Sequence, residues 1–449
     1  MVHTFSCLGH DFLLDVESGT LCRIDATTKT IVDSISSLGG ELDAREFSRI
    51  KNTHPEEAAE LQTLIERGAL FAPHLPYTPP KPSGIIKSMC LNICHNCNLA
   101  CAYCFADEGK YAGERQHMPV EVARRALEFL VEKSGDRHNL EVDFFGGEPL
   151  LNAQVVKVVQ EAVAYGRALE KTHGKKFRFT ITTNAVNLTD EITDFFNREM
   201  YNVVLSIDGR KAVHDRVRKT QGGKGSYDTV LKNALAFARK RGEGQYYVRG
   251  TYTALNKDFA ADALALADAG FRSVSLEPVV LPDSHPLALH EEDLPALYEQ
   301  YEALAKAYYE RRKKDDTWFS FFHFIIDLDH ASCLNKRYSS CGAGTEYVAV
   351  TPTGDIYPCH QFVGEQPYKM GNITSGEVDM RLYDKFCENN LAYKTVCRDC
   401  WAKYYCSGGC ASNAVHFNGD LKKPYALACA LMRKRLECAL AVYCLEREG

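Results

Sequence analysis

The rhythm of apolar and polar positions changes near residue 84. From there, strand-like runs at 85–93, 140–145, 177–182, 202–207, 246–253 and 273–279 alternate with segments of helical apolar spacing, among them 190–200, 227–241 and 259–269. Pro119-Val120-Glu121 fits a first helical turn with proline at its first position. Six strand–helix alternations predict parallel strands joined by right-handed crossovers. The expected fold class is therefore α/β, with a partial six-unit (β/α) barrel over 84–280. In such barrels chemistry sits at the carboxyl ends of the strands.

Residues 1–78 carry a different pattern. Phe12-Leu13-Leu14-Asp15-Val16 and Leu21-Cys22-Arg23-Ile24-Asp25 flank a turn-type tetrad, a hairpin signal. Helical segments are predicted at 28–37, 43–51 and 55–68. Five prolines within 73–82 then read as a stiff linker. Beyond the barrel, 281–332 reads as a bridge, with a long charged helix at 294–314 and an aromatic run at 319–324. The remainder, 333–449, is rich in cysteine.

The chemistry is concentrated at the strand ends. After the first strand, Cys97, Cys101 and Cys104 follow a C-x3-C-x2-C spacing. Zinc prefers four ligands in C-x2-C pairs, whereas three thiolates on a four-iron cluster leave one iron open to a small molecule. Three buried thiols acting as small hydrophobes are the bland alternative. Gly146-Gly147-Glu148-Pro149 follows the second strand; it reads as a turn, or as a carboxylate placed to accept from an ammonium group. Thr183 and Asn184 follow the third strand, and Ser206 and Asp208 the fourth. Each either caps the next turn or binds hydroxyl and carboxylate groups of a ligand. Arg218 and Arg249 compete for a ligand carboxylate, and Glu277 reads as a polar group of the barrel interior.

A second set of thiols begins at Cys341. Gly354 and Cys359 follow, then Cys397-x2-Cys400-x5-Cys406-x3-Cys410 and, after a gap, Cys429. Gly354 fits a tight turn between short strands at 347–351 and 355–358. A pair of structural zinc sites is the competing reading.

Bulk composition narrows the function classes. The 449 residues suggest two to four domains. A net charge of −6 gives no whole-chain basic field for nucleic acid. No apolar run reaches membrane-spanning length, and the first residues lack an export signal, so a cytoplasmic chain without membrane partners is expected. In a reducing cytosol, eighteen cysteines, five between Cys90 and Cys104 and nine between Cys333 and Cys429, point to metal binding.

The three-cysteine loop, with Tyr103 before its last thiol, resembles the signature of the radical S-adenosylmethionine (SAM) family. The Gly-Gly-Glu-Pro segment resembles the one that holds the SAM amino group there. The seven later cysteines match the SPASM pattern, and residues 1–78 resemble a winged-helix peptide-recognition module. The runs Leu91-Asn92-Ile93-Cys94-His95-Asn96-Cys97 and Tyr357-Pro358-Cys359-His360-Gln361-Phe362-Val363-Gly364 look like those of SCIFF-peptide maturases. The resemblance implies three [4Fe–4S] clusters. One is held by Cys97, Cys101 and Cys104; an outer auxiliary cluster by Cys397, Cys400, Cys406 and Cys429; an inner one by Cys341, Cys359 and Cys410. Cys333 completes the inner cluster, or its last iron stays open to a substrate thiolate. Tyr103, Gly146, Gly147, Glu148, Thr183, Asn184, Ser206, Asp208 and Arg218 would contact SAM. The implied reaction joins a cysteine sulfur to an alpha carbon in a ribosomal precursor peptide by way of a 5′-deoxyadenosyl radical. A leader sequence would bind the N-terminal module, and a flavodoxin or ferredoxin would supply low-potential electrons. An anaerobic sulfatase-type maturase and a non-enzymatic zinc or iron–sulfur scaffold are the rival readings.

Overall fold

The computed structural model describes residues 1–37, 44–74, 76–111, 113–314, 317–328 and 334–448, so Cys333 lies outside the described residues. Its centre is the strand Ser88–Cys94, buried along its whole length as a strand covered on both faces must be. To one side lie, in order, the parallel strands Asn139–Gly146, Lys176–Thr183, Asn202–Ser206, Tyr246–Tyr252, Ser273–Pro278 and Ser320–Phe321. To the other side lies Tyr347–Val350, also parallel, followed by the antiparallel strands Asp355–Tyr357, Gly371–Asn372 and Glu377–Val378. The fold is the expected α/β class, a parallel sheet wrapped by crossover helices.

Period-2 alternation decides what each strand faces. In Lys176–Thr183, Phe177, Phe179 and Ile181 are buried while the residues between them are only partly so. The rings of Phe177 and Phe144 each stack on Phe179 at 5.6 Å. The helix Ala153–His173 covers them and comes so close that a Cβ on Gly166 would lie 2.6 Å from the Phe179 ring. This helix starts where Asn152 accepts from the Val155 amide and stops at Gly174, with φ +64°.

Three observations differ from the sequence expectation. Helix Val120–Lys133 takes Pro119 as its N-cap and not as its first helical residue. The aromatic run at 319–324 does more than pack: Ser320–Phe321 is an edge strand of the sheet. The hairpin expected at 347–358 does form, but its first strand pairs with Ser88–Cys94, so one sheet runs across residues 281 and 333. The pairing saturates an edge that would otherwise present unpaired backbone groups.

At the N-terminus, the expected hairpin gains a strand. Val2–Cys7, His10–Asp15 and Leu21–Ile24 form an antiparallel sheet, followed by helices Ala26–Ser37, Ala44–Thr53 and Pro55–Glu66. The middle strand is buried on both faces. Leu13 joins Val32, Ile35 and Leu61 in a small local core, whereas Phe12 and Leu14 join the main core shared with helix Ala426–Glu448.

A buried ion pair ties this unit to the C-terminal region. Glu17 lies 2.8 Å from Lys403 Nζ, with both side chains under 10% exposed, and accepts a hydrogen bond from Tyr404 at 2.9 Å. Burial opposes the Glu17 charge, but Lys403, His74 and Tyr404 outweigh it and hold the carboxyl below its ordinary range. Glu17→Gln should therefore lower stability by about 3 kcal/mol at neutral pH, because Lys403 keeps its buried charge without a partner. The lowered pKa sets the sign: the pair stabilises above the usual glutamate pKa and is lost as pH falls through the folded value. Thermal melts of the parent and variant should diverge at pH 7 and converge in acid.

Candidate active site

The cysteine loop is held where the sheet strands end. Leaving Ser88–Cys94, the chain presses its backbone onto Gly146-Gly147. The Gly147 amide donates to Cys94 O at 2.7 Å and the Glu148 amide to Asn96 O at 2.9 Å. A Cβ on Gly147 would lie 2.0 Å from Asn96 O, and one on Gly146, at φ +122°, 2.4 Å from Cys94 O. The glycines therefore serve a backbone-to-backbone approach. Next, Leu99–Cys101 pairs antiparallel with Arg218–Thr220, placing Cys101 opposite Arg218. Asn184 Nδ2 reaches Asn98 Oδ1 at 2.7 Å and Cys97 Sγ at 3.7 Å.

Two buried carboxylates organise the surrounding strand tips. Glu148 accepts from Thr183 Oγ1 at 2.6 Å, from the Leu150 amide at 2.8 Å and from the Asn184 amide at 2.7 Å. Burial pushes its carboxyl up to about 7 against these donors. Asp208 accepts from Tyr103 OH at 2.6 Å, Arg218 Nε at 2.8 Å and the Thr251 amide at 2.9 Å. The Arg218 guanidinium also lies over the Tyr103 ring, 5.4 Å from its centroid.

Above these groups opens a cavity of about 260 Å3. Cys97, Cys101, Tyr103, Cys104, Gly146, Gly147, Glu148, Thr183, Asn184, Ser206 and Arg218 all line it, with Asp208 directly behind Tyr103 and Arg218. Arg249, Thr251, Glu277, His360 and Gln361 also line it, together with apolar side chains such as Phe105, Phe145 and Val279. Arg249 and Ser206 are register partners on adjacent strands. Among the described residues no carboxylate lies within 4 Å of the Arg249 guanidinium, whereas Arg218 is engaged by Asp208. Glu277 lies 3.2 Å from His323 Nε2 and 3.8 Å from the Arg435 guanidinium. Burial opposes its charge, yet His323, Arg249 and Arg435 hold it down to about 2. Sequence reasoning left Glu277 as an interior polar group and gave His360 and Gln361 no role. Alternation along Tyr246–Tyr252 and Ser273–Pro278 was the available signal for the first; for the other two it was the resemblance of the run 357–364 that contains them.

Seven of the C-terminal thiols fall into two groups by mutual charge interaction. Cys397, Cys400, Cys406 and Cys429 interact electrostatically with one another, as do Cys341, Cys359 and Cys410. Cys359 directly precedes the cavity-lining His360. All the described cysteines are free thiols. Burial pushes Cys97 well up and Cys101 and Cys397 to about 11, so none of these favours a bare thiolate. An iron ion that replaces the proton removes that penalty, and the all-sulfur donor set suits iron–sulfur clusters. Among the described residues no three His, Cys, Asp or Glu side chains converge on one point as ligands of a single ion would. A cluster makes no such demand, since each thiolate takes its own iron.

Residues 91–269 match the Radical SAM superfamily, and residues 341–401 match SPASM, an iron–sulfur cluster-binding domain. The chain thus carries a radical SAM domain followed by a SPASM domain. It is 28% identical over 354 residues to the mycofactocin maturase MftC of Mycolicibacterium smegmatis, covering 75% of this chain and 81% of the relative. It is 25% identical over 343 residues to a cysteine-type anaerobic sulfatase-maturating enzyme of Clostridium novyi, covering 71% and 86%. The solved structure of native anSMEcpe with bound AdoMet overlays with a TM-score of 0.64 at 18% identity, over 79% of this chain and 97% of that one. Streptococcus suis SuiB bound to precursor peptide SuiA overlays with a TM-score of 0.53 at 16% identity, over 94% and 97%. Among the described residues no helix is long and apolar enough to cross a membrane.

Gly147→Ala tests the packing that holds the loop. With a Cβ forced against Asn96 O, stability should fall by about 3 kcal/mol, read as a lower melting temperature.

Proposed function

We propose that this protein is a radical SAM peptide maturase that closes a thioether between a cysteine sulfur and an alpha carbon of a ribosomally made, cysteine-rich precursor peptide. The observation that carries the reading is the cavity itself. One wall holds the Cys97, Cys101 and Cys104 thiols, and another holds His360 and Gln361, which directly follow Cys359 of a second thiol group. A substrate in this space touches both.

In this reading Cys97, Cys101 and Cys104 hold a [4Fe–4S] cluster whose last iron takes SAM. Cys397, Cys400, Cys406 and Cys429 hold an outer auxiliary cluster, and Cys341, Cys359 and Cys410 an inner one. The bound groups supply hydrogen-atom abstraction from the peptide and a sink for the electron left over. The chain supplies position. Glu148 fixes the tips that carry Thr183 and Asn184, so these two face the cavity in one arrangement. Asp208 does the same for Tyr103 and Arg218. With Arg218 engaged, Arg249 is the cation available to a ligand carboxylate, and its flat guanidinium suits a two-point contact. The apolar Phe105, Phe145 and Val279 on the cavity wall limit water at the reacting carbon.

The N-terminal sheet and helices would recognise the leader. An extended peptide can add to a free edge of the three-stranded sheet, as strand addition allows. A reducing cytoplasm suits the many free thiols, and a flavodoxin or ferredoxin would deliver electrons. The overlays support the leader-binding role: SuiB covers nearly the whole chain, whereas anSMEcpe leaves about a fifth unmatched. The higher TM-score of that second structure favours a rival, oxidation of a cysteine or serine to formylglycine, which needs no leader module.

Anaerobic incubation of reconstituted protein with SAM, dithionite and candidate peptides separates the readings. The thioether reading predicts about twelve iron atoms per chain, 5′-deoxyadenosine release and a two-proton mass loss in a cysteine-rich peptide. Mass loss confined to a sulfatase-like peptide would favour the rival. Cys97→Ala should abolish 5′-deoxyadenosine in every case. Arg249→Ala should weaken SAM binding about tenfold, as loss of a charge-assisted contact would, measured by calorimetry on the reconstituted enzyme.

A further inference from the structure

Lys394 sits between the two C-terminal thiol groups. It is the N-cap of the short helix Thr395–Arg398, three residues ahead of Cys397, and is 1% exposed. Its ammonium donates to Gly408 O at 2.7 Å, on the turn that joins Cys406 to Cys410. Gly408, at φ +88°, lets the lysine lie against it: a Cβ there would stand 3.1 Å from Lys394 Cδ and 3.5 Å from Nζ. Burial lowers the Lys394 pKa, and negative charge on Cys397, Cys406 and Cys429 of one group and on Cys410 of the other works against that shift. Among the described residues no carboxylate comes within 4 Å of this ammonium, whereas Lys403 nearby is paired with Glu17.

A buried cation without a carboxylate is costly unless other negative charge compensates it. Among the described residues the groups that favour its charge are the thiols of Cys397, Cys406, Cys410 and Cys429. We propose that Lys394 is a shared counter-ion of the two auxiliary clusters and raises the potential at which each accepts an electron. The proposal rests on the reading that these cysteines ligate clusters. Three or four thiolates around a [4Fe–4S] core leave the site net anionic, and one added electron makes it more so. A fixed positive charge nearby therefore stabilises the reduced form more than the oxidised one, since net charge is among the factors that set cluster potentials. Lys394 is a positioning residue for charge and need touch no substrate.

The test is a potentiometric titration with dithionite, followed by electron paramagnetic resonance. It uses the full chain carrying C97A, C101A and C104A, so that only the auxiliary signals remain. This parent should hold about eight iron atoms; a parent without iron overturns the cluster reading itself, and this proposal with it. With iron retained, Lys394→Met should make reduction of the auxiliary clusters about tenfold less favourable, a shift of about 59 mV to lower potential. Lys394→Arg, which keeps the charge, should stay near the parent. Unchanged midpoints in the methionine variant, or an equal fall in the arginine variant, would overturn the proposal. Lys394→Gln keeps a donor toward Gly408 without the charge. It should match the methionine variant, and it decides the question if methionine costs iron.

Discussion

The site depends on one close contact between two stretches of backbone. The chain leaving the central strand at Cys94–Asn96 lies against Gly146-Gly147 at distances that exclude any side chain, and two amide hydrogen bonds hold it there. Everything downstream inherits that anchor. The loop that follows can hydrogen-bond to Asn184 and pair with Arg218–Thr220 only because its start is fixed. Glycine here does not open room for a ligand; it lets two strand ends meet, and their meeting builds the ligand's wall.

Charge is handled by the same economy. Each buried carboxylate of the cavity accepts from several protein donors and holds neighbouring strand tips at once. Such saturation keeps a polar site rigid in a low-dielectric interior. It also divides the labour between the two cavity arginines: Arg218 is committed to Asp208, and Arg249 faces open space. Glu277 and its partners extend the network to helix Ala426–Glu448, so the last helix of the chain helps shape the far wall of the cavity.

That helix also explains how the parts cohere. Its buried side chains enter the main core together with Phe12 and Leu14 of the N-terminal sheet. The Glu17–Lys403 pair joins the same two regions from another side. A module that captures a peptide leader would thus rest directly on the region that carries the outer thiols.

Much of this was legible in the residues alone. The strand–helix alternation, the spacing of the thiols and the motifs after the second to fourth strands are local patterns, set by backbone periodicity and by the few residues a cluster or turn accepts. They were enough to name the fold class and about half of the residues that line the cavity, the thiols and polar strand-tip groups rather than its apolar wall. Three features required the tertiary structure. Ser320–Phe321 and Tyr347–Val350 extend the sheet because free strand edges must be paired, a need that no single segment displays. His360 and Gln361 reach the cavity only because Tyr347–Val350 lies beside Ser88–Cys94. That a carboxylate holds Arg218, while none among the described residues lies within 4 Å of the Arg249 guanidinium, is likewise a product of tertiary contacts. Sequence determined which chemical groups this protein owns; folding decided which of them remain free to act, because hydrogen bonds and charge pairs form between residues far apart in the chain.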